Sequence, residues 1–351
     1  MKINWSDLSK YRNQLYGLAM FWIVIFHVWE EFKDIFPNGN SLVSIIKNGN
    51  LGVEIFLFLS GISMYFAIQK YVEPTGRIRV GEFLKKRAAG ILKVYFVFCV
   101  PFYVLAYLVL KWNPKLFLQQ VFFCRKGVSS FWFLLCIVIC YCIYPYIYQL
   151  IKKSKINRIG TGLVLYIAGL ILLCAFANDY YLKYEILLSR FPVFIAGAVC
   201  GKKVYEKSEM DVRWLVISIL IVISKAPVLA VLRRILPFFS EYSTVVNRLY
   251  GAVIGVSTII CLTALLKYLE NTKIYDLFGF LGTFTLETYV THVAYRYLLL
   301  RMFEFLQIRI DSLKEVLVLL ILYSITSFVW GYILSVVLNK QHPLLDLKRK
   351  F

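Results

Sequence analysis

The sequence is poor in histidine and in acid: three histidines in 351 residues, and 20 Asp and Glu against 40 Lys and Arg. No polar stretch exceeds about 20 residues, which leaves no room for a separate soluble domain of ordinary size. There is no internal repeat, no low-complexity tract, no Cys-x-x-Cys pair and no Cys/His metal-ligand spacing, so neither a zinc site nor a dithiol redox motif is expected. Of the eight cysteines, seven fall in apolar segments and Cys124 in a connection. Cys136 and Cys140 share a helix face and read as small packing residues. Residues 1 to 13 lack a cleavable leader pattern, so the apolar segment that follows them is expected to be retained.

What is present is hydrocarbon-compatible chain: 60% hydrophobic and 17% aromatic residues, with a mean hydropathy of +0.69. Apolar runs of the roughly 17 to 25 residues that cross about 30 Å of hydrocarbon recur from end to end. They predict ten spans, near residues 14–32, 51–70, 91–110, 130–150, 160–177, 185–201, 213–231, 250–267, 277–299 and 315–338. The expected fold is an all-α polytopic transmembrane helical bundle, one integral membrane domain over residues 1–351. With the N-terminus in the cytoplasm, the inner connections hold 23 of the 40 Lys and Arg and the outer ones 13. That bias predicts both termini cytoplasmic and His27 near the outer face. The net charge of +20 is spread over membrane loops rather than gathered on one face, which points to anionic lipid headgroups and not to nucleic acid.

Chemistry in such a chain must come from ionisable residues within or beside the spans, which are costly there and therefore functional candidates. His27 ends the segment YRNQLYGLAMFWIVIFHVWE, with Glu30 and Glu31 one helical turn away. A neighbouring carboxylate fixes an imidazole's tautomer and suits it to act as general base toward a hydroxyl. The same residue could also cap the span and reach out to water. In the ninth span Thr285, Thr288, Tyr289, His292 and Arg296 form one stripe, with Glu287 beside it. This polarity fits a cavity lining, or a network that fastens helices together. In the second span Glu54, Phe58 and Gly61 lie a turn or two apart, so the acid could face a space that the glycine leaves open. Ser60 has no histidine within helical reach, and its hydroxyl is expected to bond its own helix. A transporter or flippase for lipid-linked sugar would also place polar residues along a membrane cavity, although no repeated halves are visible.

In order along the chain, LYGLAMFWIVIFH (15–27), NLGVEIFLFLSGI (50–62), FLKKRAAGILKVYF (83–96), FWFLLCIVICYCIYP (131–145), RFPVFIAGAVCG (190–201) and TLETYVTH (285–292) resemble motifs of the acyltransferase-3 family of bacterial integral membrane acyltransferases. The similarity covers residues 11 to about 338. It implies transfer of an acyl group, most often acetyl, from acetyl-CoA or another acyl-CoA to a hydroxyl of an envelope or exported carbohydrate, in the cell membrane. No tightly bound cofactor or metal is implied. It further implies His27 as base with Glu30 or Glu31, Arg12 and Arg87 as donor-binding residues, and Arg190, Glu287, Tyr289 and His292 as further site candidates. Glu54 and Trp132 match motif positions that shape the cavity, and Ser60, of the motif's Ser-Gly pair, is a further site candidate. The sequence departs from the family at Tyr16, where an arginine is common, at Gly90, and at Lys93, where a proline is usual.

Overall fold

The computed structural model describes residues 3–37, 39–109, 111–123, 131–235 and 243–338. Cys124 and the basic residues after Leu338 lie outside these. Among the described residues the chain is helical, with two isolated bridges, Asn4 to Glu209 and Val72 to Ile78, and no strand. Seven described helical runs are long and apolar enough to cross a membrane: Leu51–Tyr71, Val80–Val109, Trp132–Lys152, Ile156–Phe176, Asn178–Tyr205, Thr244–Tyr268 and Leu313–Val337. Ile156–Phe176 exposes Val164, Leu165, Leu172 and Phe176, as a helix bathed in hydrocarbon must.

Three of the ten expected spans fall outside that set. The span expected at 213–231 is not continuous: Val212–Ile223 ends at Ser224 and a new helix, Lys225–Ile235, begins. Pro227 cannot extend the preceding helix, because its ring conflicts with the carbonyl four residues back, at Ile223. The remaining 12 residues cover only about 18 Å at 1.5 Å per residue. The other two, Arg12–Glu31 and Thr285–Leu306, are 20 and 22 residues long, roughly 30 Å each. They are set apart by their polar residues: the first carries Arg12, Asn13, Gln14, His27, Glu30 and Glu31, the second Glu287, His292, Arg296, Arg301 and Glu304. The second also starts later than the expected 277, since Lys273–Leu281 is followed by a 3-10 turn at Gly282–Phe284.

The chain forms two compact units, each discontinuous in sequence. One comprises Met1–Arg12, Glu54–Ala88 and Phe133–Glu270. Within it Glu54 and Arg190 make an ion pair buried on both sides, and Arg248 grips Glu185 through Nε at 2.7 Å and Nη2 at 3.0 Å. Its N-terminal segment is tied to the end of the Ser243–Tyr268 helix region by Lys267 to Asp7 at 3.0 Å and Lys10 to Glu270 at 2.5 Å. Lys10, and then the Tyr11 hydroxyl, hold the Glu270 carboxyl below its ordinary range. The expectation that Gly61 leaves a space for Glu54 is not met. A Cβ at Gly61 would lie 2.6 Å from the Ala198 nitrogen, so the glycine admits the Phe191–Tyr205 helix, and Glu54 turns to Arg190 instead.

The second unit comprises Asn13–Val53, Ala89–Trp132 and Asn271–Phe351. The helix Arg12–Glu31 buries Leu15, Ala19, Met20, Ile23, Val24 and Val28, a single stripe at helical spacing. Lys93, where the family commonly has proline, donates from Nζ to the Leu338 carbonyl at 2.6 Å and so caps the last helix. That helix, Leu313–Val337, starts with a Ser312/Glu315 capping box and meets Thr285–Leu306 at Gly331. A Cβ there would sit 2.7 Å from Thr288 Cα and 2.8 Å from its nitrogen. Both are backbone atoms and cannot yield, as expected of small residues that let membrane helices approach. Gly331→Ala is therefore expected to destabilise the protein by about 1–3 kcal/mol through overpacking. The check is the thermal unfolding midpoint in detergent; an unchanged midpoint would show that the helices can separate at no cost.

Candidate functional site

Within the second unit, the C-terminal end of Arg12–Glu31 and the middle of Thr285–Leu306 bring together His27, Glu30, Glu31, His292 and Arg296. Helical spacing explains why one residue from each helix recruits the others. Glu30 and Glu31 follow His27 by three and four residues, and Arg296 follows His292 by four, so each set shares a face. Arg296 is the hub. Its Nε donates to Glu31 Oε1 at 2.8 Å, its Nη2 to Glu30 Oε2 at 2.8 Å and also to Glu31, and its Nη1 lies 2.6 Å from His27 Nδ1. Glu30 Oε2 is also 3.2 Å from that same Nδ1.

The two imidazoles stack, with ring centroids 5.5 Å apart and planes inclined by 29°. His292 is buried, and its Nδ1 lies 3.0 Å from the Thr288 carbonyl. A carbonyl only accepts, so Nδ1 carries the proton, and the neutral ring has its lone pair at Nε2. That nitrogen is buried without a hydrogen-bond partner among the described residues. The backbone carbonyl of His292 is held by the Tyr323 hydroxyl at 2.9 Å.

The charges of the cluster do not cancel. Two carboxylates face one guanidinium, leaving a single negative charge that a protonated His27 would balance. Glu30 is nearly half exposed at 46%, whereas Arg296 and His27 are about one-fifth exposed. The pairs therefore order the site more than they stabilise the fold, since exposed ion pairs contribute only about 0–1 kcal/mol each. Against the polar cluster lies a small cavity of about 20 Å³. Its lining includes His27, Glu31 and Arg296 together with Leu299, Leu300, Phe303 and Leu319. It has room for one water-sized group.

Other sequence-derived candidates are distributed more widely. In the second unit Tyr289 packs its ring 5.9 Å from His292 and 6.4 Å from Phe131. Glu287 is fully buried one turn before His292, and Trp132 is half-buried at the start of its helix. Arg12, Glu54, Ser60, Arg87 and Arg190 belong to the first unit. There, Arg87 has its Nε buried with no hydrogen-bond partner among the described residues, while Lys85 and Lys86 beside it are exposed. Glu54 and Arg190 satisfy each other's charge.

Two residues received no role from the sequence and have one in the structure. Tyr323 fixes the His292 backbone. Arg296 was placed on a polar stripe, but only the fold shows that it meets both glutamates and His27. The signal was a cation in an apolar segment together with two acids ending another; nothing local joins residues 269 apart. Among the described residues no His, Cys, Asp and Glu cluster has the makings of a metal site.

No curated protein and no solved structure shows significant similarity to the chain. A family model, the acyltransferase domain of the acyltransferase-3 type, matches residues 13–340 and so takes in both units. Nearly the whole length is covered, with the His27 and His292 segments inside it, and the chain thus belongs to this family of acyltransferases.

Proposed function

We propose that this membrane acyltransferase moves an acetyl group from acetyl-CoA to a hydroxyl of a cell-envelope or exported carbohydrate, with His27 as general base. The observation that carries the assignment of the base is the cluster itself. An imidazole, two carboxylates and one guanidinium leave the charge that an imidazolium requires, and a carboxylate stands within reach of Nδ1. His27 Nε2 takes the acceptor's hydroxyl proton while that oxygen attacks the thioester carbonyl carbon. The carbon–sulfur bond then breaks, and the thiolate of CoA recovers the proton from the imidazolium. The products are an ester and free CoA thiol.

The choice of acetyl rests on the family resemblance. For the phosphates of the donor we assign Arg12 and Arg87, on their charge and on the family motif around residues 83–96. The unsatisfied Nε of Arg87 supports an anionic ligand there, because a buried guanidinium N–H without a partner is costly. The carbohydrate acceptor rests on the family resemblance.

The test is deletion of the protein from its native cell and complementation with wild type. Ester-linked acetyl groups on surface and exported glycans are then measured by NMR. Loss on deletion and return on complementation is the expected result. Unchanged acylation of every glycan after deletion would remove the carbohydrate acceptor from consideration. Incorporation of label from acetyl-CoA into another acceptor class would redirect the assignment.

A further inference from the structure

We infer that Arg296 is a positioning residue that decides which ring nitrogen of His27 carries the proton, and that transfer requires Nδ1 to part from the arginine's Nη1. This inference rests on His27 acting as the base. The argument begins from the donor inventory. A guanidinium has five N–H donors and no acceptor, and a carboxylate has only acceptors. Nδ1 of His27 has one of each beside it: Arg296 Nη1 at 2.6 Å and Glu30 Oε2 at 3.2 Å. It cannot satisfy both. Bonded to Arg296, Nδ1 presents its lone pair and the proton of the neutral ring sits on Nε2. Bonded to Glu30, Nδ1 carries the proton and Nε2 is free to accept one.

The shorter contact, to Arg296, favours the first arrangement. In it Nε2 is a donor and cannot serve as the base. The second arrangement is close at hand. The guanidinium is one rigid plane fastened to Glu31 through Nε and Nη2, so the His27 ring is what turns to part Nδ1 from Nη1, and Glu30 Oε2 already stands 3.2 Å from Nδ1. Every other group facing the ring is compatible with the exchange. From its own helix these are Glu30 and Glu31. From Thr285–Leu306 they are His292, already neutral with its Nδ1 proton committed to Thr288, and Arg296; from Leu313–Val337 it is Tyr323, committed to the His292 carbonyl. Arg296 is thus a latch. It keeps His27 in the donor tautomer at rest and releases it to the base tautomer, whose imidazolium Glu30 then balances.

The chain has three histidines, His27, His292 and His342, which makes the tautomer directly measurable. The experiment is solid-state NMR of the full-length protein in liposomes with 15N-labelled histidine, at a pH where free imidazole is neutral. The His27 signals are assigned by their loss in His27→Asn. In wild type we expect a protonated Nε2 and a bare Nδ1. In Arg296→Met the proton should move to Nδ1, and in Arg296→Lys, which retains a donor, the wild-type pattern should return. In parallel, Arg296→Met, locked in the base tautomer, should raise kcat about twofold or more, with KM for acetyl-CoA changed less than twofold; a kcat well below wild type would overturn the latch. A protonated Nδ1 in wild type overturns the inference without any variant. The same tautomer in wild type and Arg296→Met also overturns it. Full transfer by His27→Asn would instead overturn the assignment of the base, whatever the tautomer, so the two failures are distinguishable.

Discussion

His27→Ala is expected to reduce acyl transfer from acetyl-CoA by about 10²–10⁴-fold, the range for loss of a general base, in protein that remains folded. The fold should survive because His27 lies at the end of its helix and its side chain is about one-fifth exposed. Its removal leaves Arg296 bonded to Glu30 and Glu31, so no buried charge is orphaned. The loss should appear in kcat, with KM for the donor little changed, since the ring acts on the hydroxyl proton and not on the phosphates. Glu30→Gln should show a smaller loss, because it removes the partner of the imidazolium but not the base. The measurement is the initial rate of labelled acetyl transfer by purified protein in liposomes, normalised to folded protein. A rate for His27→Ala within twofold of wild type would end the role proposed for this residue.

The second large effect belongs to the first unit and concerns stability. Arg190→Met should cost about 3–5 kcal/mol, the range for breaking a buried ion pair by removing one member. Both side chains are almost completely enclosed, at 4% and 2% exposure, so neither water nor lipid headgroups can replace the lost partner. Glu54→Gln should be costly for the same reason. The double variant Glu54→Leu/Arg190→Met should recover much of the loss, because an apolar pair of similar volume carries no desolvation penalty. The readout is the thermal midpoint and the yield of monodisperse protein after detergent extraction. Midpoints for the two single variants equal to wild type would show that the pair is solvated or dispensable. Non-additivity in the double variant is the signature of a direct interaction. Activity per folded molecule, measured on whatever fraction survives, separates this bracing role from a role in the site.

How far the sequence carried can be followed residue by residue. The helix Arg12–Glu31 was legible from its periodicity, and so was the meeting of His27 with Glu30, because both depend on local helical geometry. The broken segment around Ser224 was only partly legible. The expected span 213–231 contains Lys225 and Pro227, but whether a helix bends or stops at a proline depends on what surrounds it. Glu54 was read wrongly in one respect: a glycine one or two turns away was taken as open space. In the fold that glycine is where another helix comes closest. A missing side chain looks the same in sequence whether the room is left empty or filled by a neighbour's backbone.

The sequence by itself determined that the chain is helical and membrane-spanning, and that its chemistry must reside in a handful of polar residues. Hydrocarbon length and hydrogen-bond satisfaction impose those results on any chain of this composition. The order of its motifs determined the family. The tertiary structure is what places a cation, Arg296, against His27. The family pattern directed attention to an arginine before the histidine, where this chain has Tyr16. The fold instead supplies Arg296 from 269 residues away. Charge pairing in a membrane is set by which helix faces are pressed together, and that is fixed by close packing at positions such as Gly331, not by proximity along the chain.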